Sequence, residues 1–402
     1  MEVYMNSLIS ADNSWMLWAI TIFLAAGSIW LEQHYTWANK ITGPVIGLIA
    51  ALLLSNLHIV PYAATSYDIM QEYLVPIGIV LLLFRADIKS IVRDTGKMFI
   101  TFNVSAVGTL LGVIIGFFCL KGVIPELDKM AGVMTGSYIG GGVNFFAVAA
   151  STGVSENLLS AQIVADNFIM TLSFMLMLWI PTSAFGRKNW PHPFQDIVDA
   201  NGDTGNAKTM SAAYWGAKEV SLLDIAMSLA IAVGIAGISA NLSGLIKAHT
   251  TGLVNTIIGN QFVLLTVLTV ALVSAFPEYF AKLRGAQELG TFMMYIFFVA
   301  IGYPADIAAV LKEAPLLFVF CFIIAAINII VTFGVGKIAK FNSEEMSISV
   351  CANLGGPSTG ACVAIAKGYD SLVIPGILVG LYGYIIGTPL GLLIAEWFKN
   401  LV

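Results

Sequence analysis

The chain has 402 residues, of which 58% are hydrophobic and only 11% charged, with a formal net charge of −5. A soluble domain carries roughly 25% charged residues, so the composition excludes an ordinary soluble protein. Mild acidity spread over loops also excludes a nucleic-acid partner.

A helix needs about 20 mainly apolar residues to cross a bilayer, because lipid cannot satisfy exposed backbone N–H and C=O groups. Residues 1–14 contain Glu2 and Asp12 but no Lys or Arg, so no cleavable signal is expected there. Six apolar segments follow at about 15–36, 41–60, 73–88, 97–120, 130–152 and 158–181. A polar stretch over roughly 186–220 carries Pro191, Pro193, Gly202 and Gly205 and reads as an exposed cytoplasmic linker. Six more segments occupy about 221–243, 253–276, 288–304, 314–338, 345–367 and 373–398. The chain thus divides into a first repeat (1–185), the linker and a second repeat (221–402).

Local matches support the duplication. Asp87 and Asp306 close the third and ninth segments 219 residues apart. Gly140-Gly141-Gly142-Val143-Asn144 in the fifth segment corresponds to Gly355-Gly356-Pro357-Ser358-Thr359 in the eleventh at a spacing of 215, as does Gly153 to Gly368. Glycine clusters and a Gly-Gly-Pro cannot sustain a continuous helix. Broken backbone at membrane depth survives only inside protein or along a watery cavity, and paired breaks mark a transporter's binding site. The alternative is that these glycines only let neighbouring helices approach closely.

Charge bears on topology. If segments five and eleven are re-entrant, each half crosses five times and the halves are inverted. Fourteen Lys and Arg residues, among them Lys40, Arg85, Arg187, Lys282, Lys337 and Lys367, then lie on one side. Lys121, Lys129, Lys247, Lys312 and Lys399 lie on the other. The positive-inside rule favours that arrangement over one in which all twelve cross, and places both termini outside a plasma membrane. The expected fold is an all-α polytopic membrane protein with two inverted repeats, each of about five spans plus one glycine-broken or re-entrant helix.

The stretch Met134-Thr135-Gly136-Ser137-Tyr138-Ile139-Gly140-Gly141-Gly142-Val143-Asn144-Phe145, with the duplicated halves, resembles the YjcL-like (DUF-819) family of membrane proteins. More distantly the layout is similar to the superfamily of sodium/proton antiporters, bile-acid sodium symporters and sodium/glutamate symporters. That resemblance implies a scaffold, a mobile core with crossed broken helices, and a homodimer.

Asp166 is the foremost candidate for ion binding, because a carboxylate at membrane depth costs on the order of 3 kcal/mol unless paired or protonated. Asp166-Asn167 resembles the antiporters' Asn-Asp pair in reversed order. The repeat mate of the pair is Leu381-Tyr382, so the acid does not repeat. Oxygen ligands for sodium are offered by Asp166, Asn167, Asn144, Asn353 and Thr359. Ser137, Gly140, Gly141, Gly142, Gly355, Gly356, Pro357 and Ser358 are candidates for a substrate, through hydroxyls, freed carbonyls and half-helix ends. Asn103 and Asn328 read as interhelical hydrogen-bonding residues. Asp87 and Asp306 read as solvated partners of Arg85, Lys89 and Lys312.

His34, His58, His192 and His249 have no metal spacing, and Cys119, Cys321, Cys351 and Cys362 read as free buried thiols. Trp15, Trp18, Trp30 and Trp37 fit an interfacial belt. No enzyme motif or cofactor site is present. The expected function is sodium-coupled symport of a small polar organic solute, an amino acid or carboxylate. Sodium/proton antiport, with a proton held on Asp166, is the alternative.

Overall fold

A computed structural model of the chain describes residues 7–201, 219–251, 254–255, 258–304 and 307–401. The glycine-rich part of the linker, 202–218, and Asp306 lie outside the described residues. Every regular element among the described residues is helical. The principal helices of the first half are α1 (Ser14–His34), α2 (Gly43–Asn56), α3 (Thr65–Arg85), α4 (Lys97–Leu120), α5 (Leu127–Gly140), α6 (Gly142–Thr152) and α7 (Glu156–Trp179). Those of the second half are α8 (Leu222–His249), α9 (Gln261–Ala275), α10 (Ala286–Gly302), α11 (Ile307–Ala339), α12 (Ser343–Lys367) and α13 (Asp370–Lys399). Seven of the described helices are long and apolar enough to cross a membrane. Short helices at Ala184–Asn189 and Pro193–Asn201 form the described part of the linker.

Two expected spans are shorter than their apolar runs. α2 has 14 residues and α9 has 15, about 21–23 Å at 1.5 Å per residue, against a hydrocarbon core of about 30 Å. Loop residues such as Leu57, Ile59 and Val60 prolong the apolar run beyond the end of α2.

The fifth and eleventh segments do not cross. Gly141 has φ +76° and Gly356 φ +81°, a left-handed region that favours glycine. Each reverses its helix. A Cβ on Gly136 would lie 3.0 Å from both Asn144 O and Val148 Cγ2, placing α5 alongside α6. Likewise a Cβ on Gly360 would lie 2.9 Å from Ala352 Cβ. Eight residues along a straight helix would separate such positions by about 12 Å, so α12 is folded back as well. Both segments are re-entrant hairpins, where the superfamily resemblance implies crossed broken helices. Their outgoing arms end at Gly153 (φ +64°) and Gly368 (φ +69°), preserving the spacing of 215.

The ends of each hairpin are tied together. Lys129 Nζ donates to Gly153 O (3.0 Å) at the mouth of the first. At the second, Gln195 N donates to Glu344 Oε1 (2.8 Å) and Tyr369 Oη donates to Gln195 Oε1 (2.6 Å). The linker helix Pro193–Asn201 therefore closes the second hairpin.

Hydrogen bonds between loops sort the chain into two faces. On one, Leu8 and Ile9 amides donate to His58 and Ile59 carbonyls, Lys121 reaches Leu401 O, and Asn260 Nδ2 donates to Ser151 Oγ. On the other, Ile88 N donates to Ser274 Oγ, Lys337 Nζ to Asn189 Oδ1, and Ser343 N to Pro191 O. α4 leads from the second face to the first, and α8 starts from the face opposite the start of α1.

α13 is the axis on which the hairpins meet. Its Gly376 and Gly380 pack on the second hairpin, against Gly360 and Pro357; Gly383, Gly387 and Gly391 pack on the first, against Gly140, Asn144 and Gly132. The hairpins thus enter from opposite ends of α13 and meet near its middle. There a Cβ on Gly141 would lie 2.9 Å from Gly355 C and Gly356 N. Close backbone approach of this kind is how helices associate in lipid, where burying apolar side chains brings no gain.

α4 and α11 form a second seam, with Gly108, Gly112 and Gly116 against Asn328, Ile324 and Phe320. Asn328 Nδ2 donates to Ser105 O and Thr109 Oγ1 across it, both at 2.8 Å, and Ser105 Oγ donates to Asn328 Oδ1. Tyr382 Oη donates to Asn103 Oδ1 (3.2 Å). Both asparagines bridge helices, as their residue type in apolar segments predicts. α1, α2, α3 and α10 form a separate group around the stacked rings of Tyr67 and Tyr303, 4.4 Å apart.

Candidate functional site

A cavity of about 600 Å³ lies between the two groups of helices. One wall comes from α1, α2, α3 and α10, through Glu32, Pro44, Phe84 and Tyr295. The other comes from α7 and the hairpins, through Ser137, Asp166, Ser358 and Thr359. Arg85, Gln287 and Glu288 line it toward the face that also holds Ile88 and Ser274.

Asp166 is the eleventh of the 24 residues of α7, at the level of the hairpin tips rather than at a membrane surface. Ser137 Oγ, from the incoming arm of the first hairpin, donates to Asp166 Oδ2 at 3.0 Å. Oδ1 is enclosed, with the buried Tyr138 hydroxyl as its neighbour, and neither atom completes a well-formed hydrogen bond among the described residues. Asp166 forms no ion pair among them. A carboxylate so placed can take a proton or a monovalent cation as its missing partner.

Asn167, one position on, turns to the scaffold: Thr42 Oγ1 donates to its Oδ1 at 3.2 Å, joining α7 to the start of α2. Thr359 Oγ1 donates to Gly355 O (3.0 Å), and Gly141 O accepts from Asn144 N and Phe145 N. These carbonyls, expected to be free at the breaks, are therefore partnered. Gly142, Gly355, Pro357 and Ser358 also line the cavity.

The structure does not bring every candidate to that wall. Gly140, Gly141 and Gly356 are buried in the tip-to-tip contact and in the packing on α13. Asn144 is buried behind the first hairpin, donating to Tyr384 O and Thr388 Oγ1 on α13, both at 2.9 Å. Asn353 donates to Phe102 O on α4 (3.1 Å) and Ser349 O (3.2 Å). Both amides brace the hairpins, and both Oδ1 atoms lack a partner among the described residues. Asp87 caps the short helix Ile88–Asp94, accepting from Lys89 N, Ser90 N and Ser90 Oγ, so it is a helix cap rather than half of a surface pair.

Sequence reasoning missed Glu32, Thr42, Tyr295 and Tyr384, all of which line the cavity. Glu32 carried a usable signal, a carboxylate within the first apolar segment. It stands near the end of that segment, where a carboxylate is not costly enough to draw notice.

Re-entrant glycine hairpins, lengthy apolar helices and carboxylates set in their midst define a multi-pass membrane protein. The family described as "Protein of unknown function (DUF819)" matches residues 19–401, and the chain belongs to it. It is 41% identical over 397 residues to "Uncharacterized membrane protein YjcL" of Bacillus subtilis (strain 168), covering 98% of this chain and all of that protein.

Proposed function

We propose that this protein is a secondary active transporter that carries a small polar organic solute, an amino acid or a carboxylate, by sodium-coupled symport. The observation that carries the reading is the meeting of two glycine hairpin tips beside Asp166 at one wall of the cavity. Discontinuous helices from two halves converging at the membrane midplane are the recurrent construction of transporter sites.

In this reading the halves are inverted repeats, because five crossings each put them in opposite orientation. Asp166, with Ser137 holding one oxygen, binds the coupling ion, and Asn167 and Thr359 lie within the same cavity. The hairpins, α4, α7, α11 and α13 form the moving body, while α1, α2, α3 and α10 form the stationary one. The cavity borders Arg85, on the Lys/Arg-rich side, so the positive-inside rule makes this an inward-open state with both termini outside the plasma membrane. The chain acts without a resident cofactor and is not an enzyme.

The test is uptake of radiolabelled amino acids and carboxylates into proteoliposomes under an imposed sodium gradient. Gradient-dependent accumulation is expected. Internal pH change driven by sodium, with no accumulation of organic solute, would instead establish sodium/proton antiport through Asp166.

A further inference from the structure

The charges lining the cavity are unbalanced. Among the described lining residues are three carboxylates, Glu32, Asp166 and Glu288, and one guanidinium, Arg85. Arg85 is exposed to solvent. The walls away from it carry Glu32 and Asp166, and neither forms an ion pair among the described residues.

Glu32 lies in the last turn of α1, and its Oε2 accepts from Tyr295 Oη of α10 at 2.5 Å. It lines the cavity together with Cys362 on the outgoing arm of the second hairpin. A carboxylate in a low-dielectric site calls for a positive partner. Two further features bound the same space. The outgoing arms of both hairpins begin there, at Gly142 and Pro357, and a helix start presents free amides and the positive end of its dipole. Phe146 and Phe298, with ring centroids 4.7 Å apart, supply an apolar wall.

We infer that the cargo is a zwitterionic amino acid with an apolar side chain. Its ammonium group is received by Glu32, its carboxylate by the half-helix start at Gly142, and its side chain by Phe146 and Phe298. The inference rests on the cavity being the transport site. A carboxylate lacking an amine would leave Glu32 without a counter-charge and be repelled by it, and the solvent-exposed Arg85 is the one cation among the described lining residues.

The test is equilibrium binding of radiolabelled L-phenylalanine and L-leucine to the purified full-length protein in sodium, with displacement by 2-phenylethylamine and 3-phenylpropionate. Saturable amino-acid binding is expected, displaced more strongly by the amine than by the carboxylate. Glu32→Gln, with elution and melting temperature unchanged, weakens binding about tenfold or more, the order of one charge-assisted contact, and removes the preference for the amine. Tyr295→Phe retains the carboxylate and that preference.

Stronger displacement by 3-phenylpropionate, absence of amino-acid binding, or wild-type binding by Glu32→Gln would each overturn the inference. If Glu32→Gln does not fold, the displacement series on the wild-type protein decides. Saturable amino-acid binding without sodium-driven uptake supports the Glu32 site and overturns coupled transport. Sodium-driven uptake of 3-phenylpropionate with amines excluded does the reverse.

Discussion

Asp166 owes its character to what surrounds it. Ser137 satisfies one carboxylate oxygen, the other is enclosed beside the Tyr138 hydroxyl without a well-formed hydrogen bond, and no cation is paired with it among the described residues. Asp166→Asn keeps the size and the Ser137 contact while removing the charge. On the proposed symport, sodium-driven uptake should fall by an order of magnitude or more, with the protein still extractable and monodisperse; transport assays with and without a sodium gradient check this. Asn144 presents the opposite case. Asn144→Ala removes two hydrogen bonds into α13, and thermal unfolding in detergent should register a loss of about 1–3 kcal/mol. At this scale the sequence marked residue types well, since polar atoms in apolar segments are costly enough to be informative. It could not tell a cavity-facing amide from a bracing one, because that depends on which helix lies opposite.

At the scale of elements, the hairpins depend on single glycines. Gly141→Ala places a Cβ at φ +76° and 2.9 Å from the backbone of the other tip. A loss of about 2 kcal/mol or more is expected from strain and overpacking together. Gly27→Ala on α1, where a Cβ would meet nothing within 4 Å, serves as the control and should leave unfolding unchanged or slightly delayed.

The mouth of the first hairpin gives a pH signature. Burial raises the Glu126 carboxyl, but hydrogen bonds from Lys129 and Ser155 outweigh this and hold it below its ordinary value of 4.5. A lowered folded-state value means stabilisation that is fully present above 4.5 and lost as pH falls through the lowered value. The difference in melting temperature between wild type and Glu126→Gln should therefore shrink as pH drops below about 4.5. The glycine clusters announced a break in each segment. The Lys/Arg count favoured reversal over crossing, but the segments themselves did not show it, because a kinked crossing helix and a hairpin share the same apolar run.

For the whole molecule, the hydrogen-bonded loops and the charge count meet in one topology. Single cysteines at Lys188 and Thr250, in a background where Cys119 is replaced by Ser, should report it through a membrane-impermeant maleimide on intact cells. Thr250→Cys is expected to be labelled and Lys188→Cys protected until the cells are permeabilised; the reverse pattern would invert the orientation.

Composition and hydropathy by themselves determined that the chain is an all-helical membrane protein, because only internally satisfied backbone is stable in lipid. The spacing of 215 residues also fixed where the two special segments lie. Only the tertiary structure decided that these segments turn back, that their tips touch at the middle of α13, and that Glu32 and Asp166 face one cavity. The reversal rests on close packing eight residues apart across a single glycine, and the other two on contacts between segments more than a hundred residues apart, neither of which local patterns of polarity encode.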